Sequence, residues 1–232
     1  MHPAILQQLQ AERQARRAAV LVTDLATGLA ELVRDADRAG HPLSEPLSKA
    51  LQSGAPVNVE QEGRSLFLNP YLPPLRIVVI GAVHISQALA PMAALAGFSV
   101  EIIDPRTAFA TPDRFSTVRL YPDWPEAVLQ EEPLDRYCAV AALTHDPKID
   151  DWPIEAALRA ECFYVGALGS RKTHGKRLER LRSAGLTDDH LERIRAPIGL
   201  PIRASSPAEI AVAVLAEIIA AWRSPERAGA ST

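Results

Sequence analysis

The sequence predicts an α/β protein: a doubly wound, mainly parallel sheet of the Rossmann-like kind, preceded by a small α+β segment. Three observations carry this. Beyond Pro74 the chain holds short, continuous apolar runs, such as Ile77 to Ile80, and a run of that kind suits a strand buried on both faces. Strand and helix patterns then alternate five times with short connections, which gives a parallel sheet covered by helices. Gly81, Asp104 and Gly166 punctuate the ends of apolar runs, where the chain turns away from the sheet.

The composition shifts near Pro73-Pro74, so the chain is divided into a small N-terminal segment, 1–74, and a Rossmann-like domain, 75–232. In the first part, Ile5 to Arg17 is a polar helical stretch and Ala18 to Val22 a strand ended by Thr23-Asp24. Leu29 to Gln52 reads as a mixed helical region interrupted by Gly40 and by Pro42 to Pro46. Val57 to Glu60 and Arg64 to Leu68 read as a hairpin around Glu62-Gly63. Asn69 to Pro74, with three prolines, is expected to break regular structure.

In the second part, Arg76–Ile80 is the first strand and Ile85 to Ala96 an alanine-rich helix stopped by Gly97. Ser99–Ile103, ending at Asp104, is the second strand, and Thr117 to Leu120 the third, followed by a helix over Pro125–Glu131. Tyr137 to Leu143 is the fourth strand, and Ile154 to Ala160 lies in a helix. Cys162 to Val165 is the fifth strand, closed by Gly166. Arg171 to Ala184 is a basic helix with Leu178 and Leu181 as its apolar positions, and its cations from Lys176 onward read as a solvated face. Thr187 to Ile194 is a short helix. Ser206-Pro207-Ala208-Glu209 has capping-box spacing and opens a last helix to about Trp222, after which the tail is expected to fray. Ile77, Val79, Val100, Ile102, Val140 and Val165 are the expected core of the sheet.

The 232 residues are 47% apolar and 23% charged, the balance of a chain that can build a core. A net charge of −3 supplies no global positive field to recruit nucleic acid or anionic lipid. No window approaches the roughly 18 uninterrupted apolar residues of a membrane span, and the N-terminus lacks the apolar core of a secretory signal. Cys138 and Cys162 both lie in apolar runs, which argues against a disulfide framework and for a reducing, cytoplasmic setting. The 19 prolines and 5% aromatic content fit short, stiff connections around an aliphatic core.

In such sheets ligands bind beyond the carboxyl ends of the strands, near the point where strand order reverses. The first turn, Gly81-Ala82-Val83-His84-Ile85-Ser86, keeps only the first glycine of the G-x-G-x-x-G fingerprint. Val83 puts a β-branched side chain where backbone normally approaches a pyrophosphate, and Ser86 takes the third glycine's place. Asp104, 23 residues after Gly81, stands near the spacing of a ribose-binding acid; the alternative is a carboxylate that caps a strand end. Thr144-His145-Asp146 follows the fourth strand and brings together a hydroxyl, an imidazole able to move a proton near neutral pH, and a carboxylate. The competing reading is a loop in which Asp146-Pro147 makes a turn. Gly166-Ala167-Leu168-Gly169-Ser170-Arg171 opens a helix with the ingredients of an anion site, without Walker A spacing. His84 and His145 have no third ligand at metal-motif spacing, so no metal site is expected. The cysteines sit inside strands and read as core.

Taken in order, Gly81-Ala82-Val83-His84-Ile85-Ser86-Gln87-Ala88-Leu89, Thr144-His145-Asp146, Tyr164 to Lys172, Ala196-Pro197-Ile198-Gly199-Leu200 and Ser206 to Ala211 resemble the Rossmann domain of the XdhC/CoxI family over roughly residues 75–223. These are accessory factors for xanthine dehydrogenase and related molybdenum hydroxylases. The resemblance implies a maturation role: binding molybdenum cofactor (molybdopterin or its dinucleotide form), assisting its sulfuration with a cysteine desulfurase, and delivering it to the hydroxylase subunits, with a homodimer as a possible form. It points to Gly81, His84, Thr144, His145, Asp146, Gly169, Ser170 and Arg171 as cofactor-binding positions, beside Asp104 from the spacing above, and assigns no catalytic residue. Two departures stand out. The family turn usually reads Gly-Ala-Gly-His with another glycine two residues later, where this chain has Val83 and Ser86. Residues 1–74 lack the cysteine motif usual in the family's N-terminal domain. An NAD(P)-dependent oxidoreductase and a ligand-free assembly scaffold are the alternatives.

Overall fold

Apolar strands and amphipathic helices sort into two compact units in the computed structural model, which describes residues 2–224. One unit holds the residues up to Pro74 together with those from Arg223; the other is Leu75–Trp222. The tail beyond Ser224, where fraying is expected, lies outside the described residues.

The N-terminal unit contains α1 (Pro3–Gln14), β1 (Ala19–Asp24), β2 (Ala30–Arg34), a 3-10 turn (Asp35–Gly40), α2 (Ser44–Ser53), β3 (Val57–Gln61) and β4 (Arg64–Tyr71). Its antiparallel sheet has the order β2-β1-β4-β3, with Val20, Leu47, Ala50 and Leu68 buried. Two expectations are corrected here. The region read as mixed helix begins with a strand, β2. The Asp24 carboxylate accepts the N–H groups of Ala26 and Thr27 in a tight turn that returns the chain onto β1. Pairing with β1 therefore decides the conformation of residues whose local pattern is ambiguous. The expected break at Asn69 comes later, because β4 runs on through Pro70 to Tyr71. The pairing of β4 with β3 stops at Leu68, so Pro70 lies where β4 pairs with β1 alone, and an edge tolerates a residue without an N–H.

The second unit runs β5 (Arg76–Ile80), α3 (His84–Leu95), β6 (Ser99–Ile103), β7 (Arg119–Tyr121), α4 (Pro125–Glu131), β8 (Cys138–Ala142), α5 (Pro147–Arg159), β9 (Tyr164–Ala167), α6 (Arg171–Ser183), α7 (Asp188–Glu192), β10 (Ile194–Arg195) and α8, which begins at Pro207 and ends at Arg223. All its strand pairs are parallel, in the order β10-β9-β8-β5-β6-β7. Counted along the chain this is the order 3-2-1-4-5-6 of a Rossmann fold.

Alternation along the strands divides the core between the two faces. Ile77, Val79, Val100 and Ile102 pack against Leu89 and Ala93 of α3 and Val214 and Ile218 of α8. Val78, Ile80, Val140 and Val165 pack against Ile154, Ala157 and Leu158 of α5 and Leu181 of α6. The six expected core positions are all buried, and both cysteines are free and buried. Ser206 and Glu209 form the expected reciprocal cap at the start of α8.

The third strand lies slightly later than expected. A sixth strand, β10, is two residues long and sits at the end of a helical pattern, too short to leave a periodic signal. Gly166 lies inside β9 and does not close it. A Cβ there would stand 2.5 Å from the Tyr164 hydroxyl and 2.7 Å from Ile198, so this glycine leaves room for those two side chains over the strand. No described helix is long and apolar enough to cross a membrane.

Candidate functional site

The connections from β5 and β8 leave toward opposite sides of the sheet, so the order reverses between these neighbours. The crevice at their carboxyl ends is where such folds take ligands. Its walls are the turn after Ile80 and the loop after Ala142.

The first turn is held from three directions. Gly81 has φ +119°, and a Cβ on it would meet Thr144 Cγ2 at 2.9 Å and the Thr144 nitrogen at 3.3 Å. The Ala82 N–H donates to Asp104 Oδ2 at 2.7 Å, and Arg114 Nη1 donates to the Ala82 carbonyl at 3.0 Å. The Ser86 hydroxyl donates to the Gly81 carbonyl and accepts the Val83 N–H at 3.4 Å. The Ala82 and Val83 amides of this turn are thus engaged within the protein. Asp104 is fully buried and also accepts from Arg106 through its backbone N–H and both Nε and Nη2, at 2.7–2.9 Å. Burial opposes its charge, yet the Arg106 guanidinium and the Ala82 N–H hold its carboxyl below the usual range. Both oxygens are committed to the protein, where a ribose-binding acid would present one to the ligand.

The second wall is Thr144-His145-Asp146. Thr144 is buried and its hydroxyl donates to Asp150 Oδ1 at 2.7 Å while accepting the Asp146 N–H at 3.0 Å. Asp146 caps α5 by accepting the Lys148 N–H at 3.0 Å. His145 is exposed and held at φ +65°, a conformation uncommon for a residue with a side chain. Gly169, at φ +139°, faces it: a Cβ there would lie 4.0 Å from His145 Nδ1 and 3.3 Å from Thr173. Ser170 caps α6 by accepting the Thr173 N–H at 3.2 Å, and Arg171 is exposed at the first helical position.

The structure thus brings Gly81 to Thr144, Ala82 to Asp104 and Gly169 to His145, all at the carboxyl edge of the sheet. His84 is exposed at the start of α3. Among the described residues no group of three His, Cys, Asp or Glu side chains is placed to hold a metal ion.

A family profile described as the XdhC Rossmann domain matches residues 77–218, which takes in every strand and loop of this crevice. The chain belongs to the XdhC family. Curated relatives of this XdhC-family chain include the Uncharacterized protein YqeB of Escherichia coli strain K12, 33% identical over 67% of this chain and 29% of its own length. The Molybdenum cofactor insertion chaperone PaoD of the same strain is 32% identical over 64% of this chain and 40% of its own length. A probable xanthine dehydrogenase subunit of Bacillus subtilis strain 168 is 34% identical over 67% and 45% respectively. The matched stretch is less than half the length of each. A solved structure titled as a xanthine dehydrogenase from Bacillus halodurans shares the fold, with TM-score 0.70 and 24% identity over 97% of this chain and 68% of that one.

In this XdhC domain the crevice also depends on residues the sequence did not single out. Asp150, in the first turn of α5, is fully buried, and its Oδ2 has no hydrogen-bond partner. Burial pushes its carboxyl up to about 6 against the opposing pull of the Thr144 bonds and the Arg177 charge. Arg177 was expected on a solvated face; it is 2% exposed. Its position four residues before the buried Leu181 was the available signal, because i and i+4 share a helix face.

Proposed function

We propose that this chain is a maturation factor for a molybdenum hydroxylase, holding molybdenum cofactor, as molybdopterin or its dinucleotide, at the strand-end crevice. In this reading it presents the cofactor for sulfuration by a cysteine desulfurase and passes it to the hydroxylase subunits. The carrying observation is the start of α6 beside His145. Gly169 leaves open the space a Cβ would fill between Thr173 and His145, and Arg171 supplies a charge at a helix N-terminus, where backbone amides and the helix dipole favour phosphate. These residues fit the phosphate end of a pterin cofactor. The first turn departs from the ordinary dinucleotide manner, since Val83 stands where the fingerprint has its second glycine and the Ala82 and Val83 amides bond Asp104 and Ser86. The exposed polar groups of His145 and Asp146 remain for the ring system. The name of the relative PaoD supports the same reading.

The test is cofactor retention by protein isolated from molybdenum-replete cells, followed by native mass spectrometry and pterin fluorescence and read against thermal melting. Loss of a charge-assisted contact removes about 1.5–3 kcal/mol, so Arg171→Ala is expected to lower affinity about 10- to 150-fold. His145→Ala is expected to lower retention without moving the melting curve, because the side chain is exposed. Retention equal to that of the unmodified protein in both variants would move the cofactor away from this crevice, and no retention by the unmodified protein would leave the ligand-free scaffold.

Val83 at the second glycine position and an Asp104 carboxylate turned to Ala82 and Arg106 also predict weak nicotinamide binding. Calorimetry with NAD(H) or NADP(H) is expected to give a Kd no tighter than about 1 mM, or about −4 kcal/mol. A micromolar constant would move the assignment to an oxidoreductase.

A further inference from the structure

Beneath the crevice lie two buried, oppositely charged groups that the proposed function leaves unused. Asp150 Oδ1 accepts the Thr144 hydroxyl at 2.7 Å and the Thr144 N–H at 3.3 Å, and the His145 N–H also favours the charged form of this carboxyl. Arg177, from the middle of α6, reaches under the next loop and donates from Nη2 to the Leu168 carbonyl at 3.2 Å, immediately before Gly169. The remaining oxygen of Asp150 and the Nε and Nη1 of Arg177 are buried without hydrogen-bond partners. Buried polar groups in folded proteins are nearly always satisfied, and a charge without a partner in an apolar interior is disfavoured. Apolar side chains at 150 and 177 would serve the core better, so the pair calls for a role other than packing.

We infer that Asp150 is the positioning residue of the Thr144-His145 turn and that Arg177 couples it to the Leu168-Gly169 loop, so that the two ligand-facing loops are set together from below. This rests on the crevice being the cofactor site. His145 sits in a left-handed backbone conformation that a side-chain-bearing residue does not adopt freely, and the two bonds from its neighbour Thr144 to Asp150 Oδ1 anchor the turn there. Arg177 feels Asp150 and Asp151 together, with its Nε 3.8 Å from Asp151 Oδ1. For both Asp150 and Arg177, burial outweighs the attraction between them, which places them in each other's field without direct pairing. Arg106, from the loop after β6, lies in the field of both Asp150 and Asp146, and Asp151, His174 and Arg180 face Arg177.

The arrangement responds to protons. Above about pH 6 the Asp150 carboxylate is charged and holds the Thr144 donors strongly; as pH falls through that value it takes a proton, its acceptor strength drops and its attraction to Arg177 disappears. The test is a titration of the full chain by NMR from pH 4.5 to 8. His145→Asn is the background, since asparagine carries no ionisable group and tolerates a left-handed backbone. The Asp150 carboxyl carbon is expected to show an inflection near 6, followed by the amides of Thr144 and residue 145, and Asp150→Asn is expected to abolish it in both amides. Cofactor retention at pH 7.5 is expected to fall on the order of tenfold in Asp150→Asn and in Arg177→Met, with Arg177→Lys partly restoring it. Amides that ignore the Asp150 titration, or that keep their inflection in Asp150→Asn, would overturn the inference. If the unmodified protein retains no cofactor, the proposed function fails while the amide titration still decides the positioning role.

Discussion

Glu101→Ala is expected to destabilise the Leu75–Trp222 unit by about 3–5 kcal/mol, the range found when one member of a buried ion pair is removed. Glu101, on β6, is fully buried and accepts from Arg76 of β5 through Nε at 3.1 Å and Nη2 at 2.7 Å. Arg76 is itself 4% exposed and donates from Nη1 to the Pro133 carbonyl at 2.9 Å, which ties the start of the sheet to the segment leaving α4. Alanine at 101 leaves a buried guanidinium with the two donors that Glu101 answered unpaired. For a domain of this size the loss corresponds to a fall in Tm on the order of 10 °C. The double variant Arg76→Met, Glu101→Leu is expected to be markedly less destabilised than Glu101→Ala, because removing both charges also removes the penalty of burying them. A single variant that melts within about 2 °C of the unmodified protein, less than about 1 kcal/mol on the same scale, would show that the pair is better solvated than its geometry implies.

The sheet was legible because both its faces are buried. A strand such as Arg76–Ile80 has to be apolar at nearly every position, and that signal survives without knowledge of its neighbours. Strands with one exposed face, or with only two residues, lack it. β2 alternates weakly and is placed by its ladder to β1, and β10 by its register with β9. The edge of the sheet that carries the crevice was legible for the same topological reason, since parallel strands deliver their following loops to one side. What each loop residue does there was not legible. Asp104 engages Ala82 from 22 positions away, and the geometry decides whether its carboxylate turns outward to a ligand or inward to the turn. Ser86 at a glycine position reads as a lost fingerprint, yet its hydroxyl closes the turn. Arg177 belongs by composition to a basic helix surface, and only its phase relative to Leu181 marks it as buried.

Gly81→Ala joins the two walls of the crevice in one measurement. A side chain at φ +119° costs about 1–3 kcal/mol in backbone strain, and forcing a methyl into filled space costs about 1–3 kcal/mol more. The obstacle is specific: Thr144 Cγ2 at 2.9 Å, with the Thr144 nitrogen at 3.3 Å behind it. Neither wall can retreat easily, because β5 and β8 are paired from Arg76–Cys138 to Ile80–Ala142 immediately before the turn. Thr144 therefore has to move, and with it the hydroxyl that reaches Asp150. The expected result is a destabilisation of roughly 2–6 kcal/mol from the two contributions together, accompanied by loss of cofactor retention. Thr144→Ser supplies the control, since it removes the obstructing methyl and keeps the hydroxyl. In the double variant Gly81→Ala, Thr144→Ser, the overpacking contribution is expected to disappear and the backbone strain to remain, giving a coupling energy on the order of 1–3 kcal/mol between the two positions. Additive effects would mean that the turn and the loop do not meet as described, and the crevice would lose its narrowest contact.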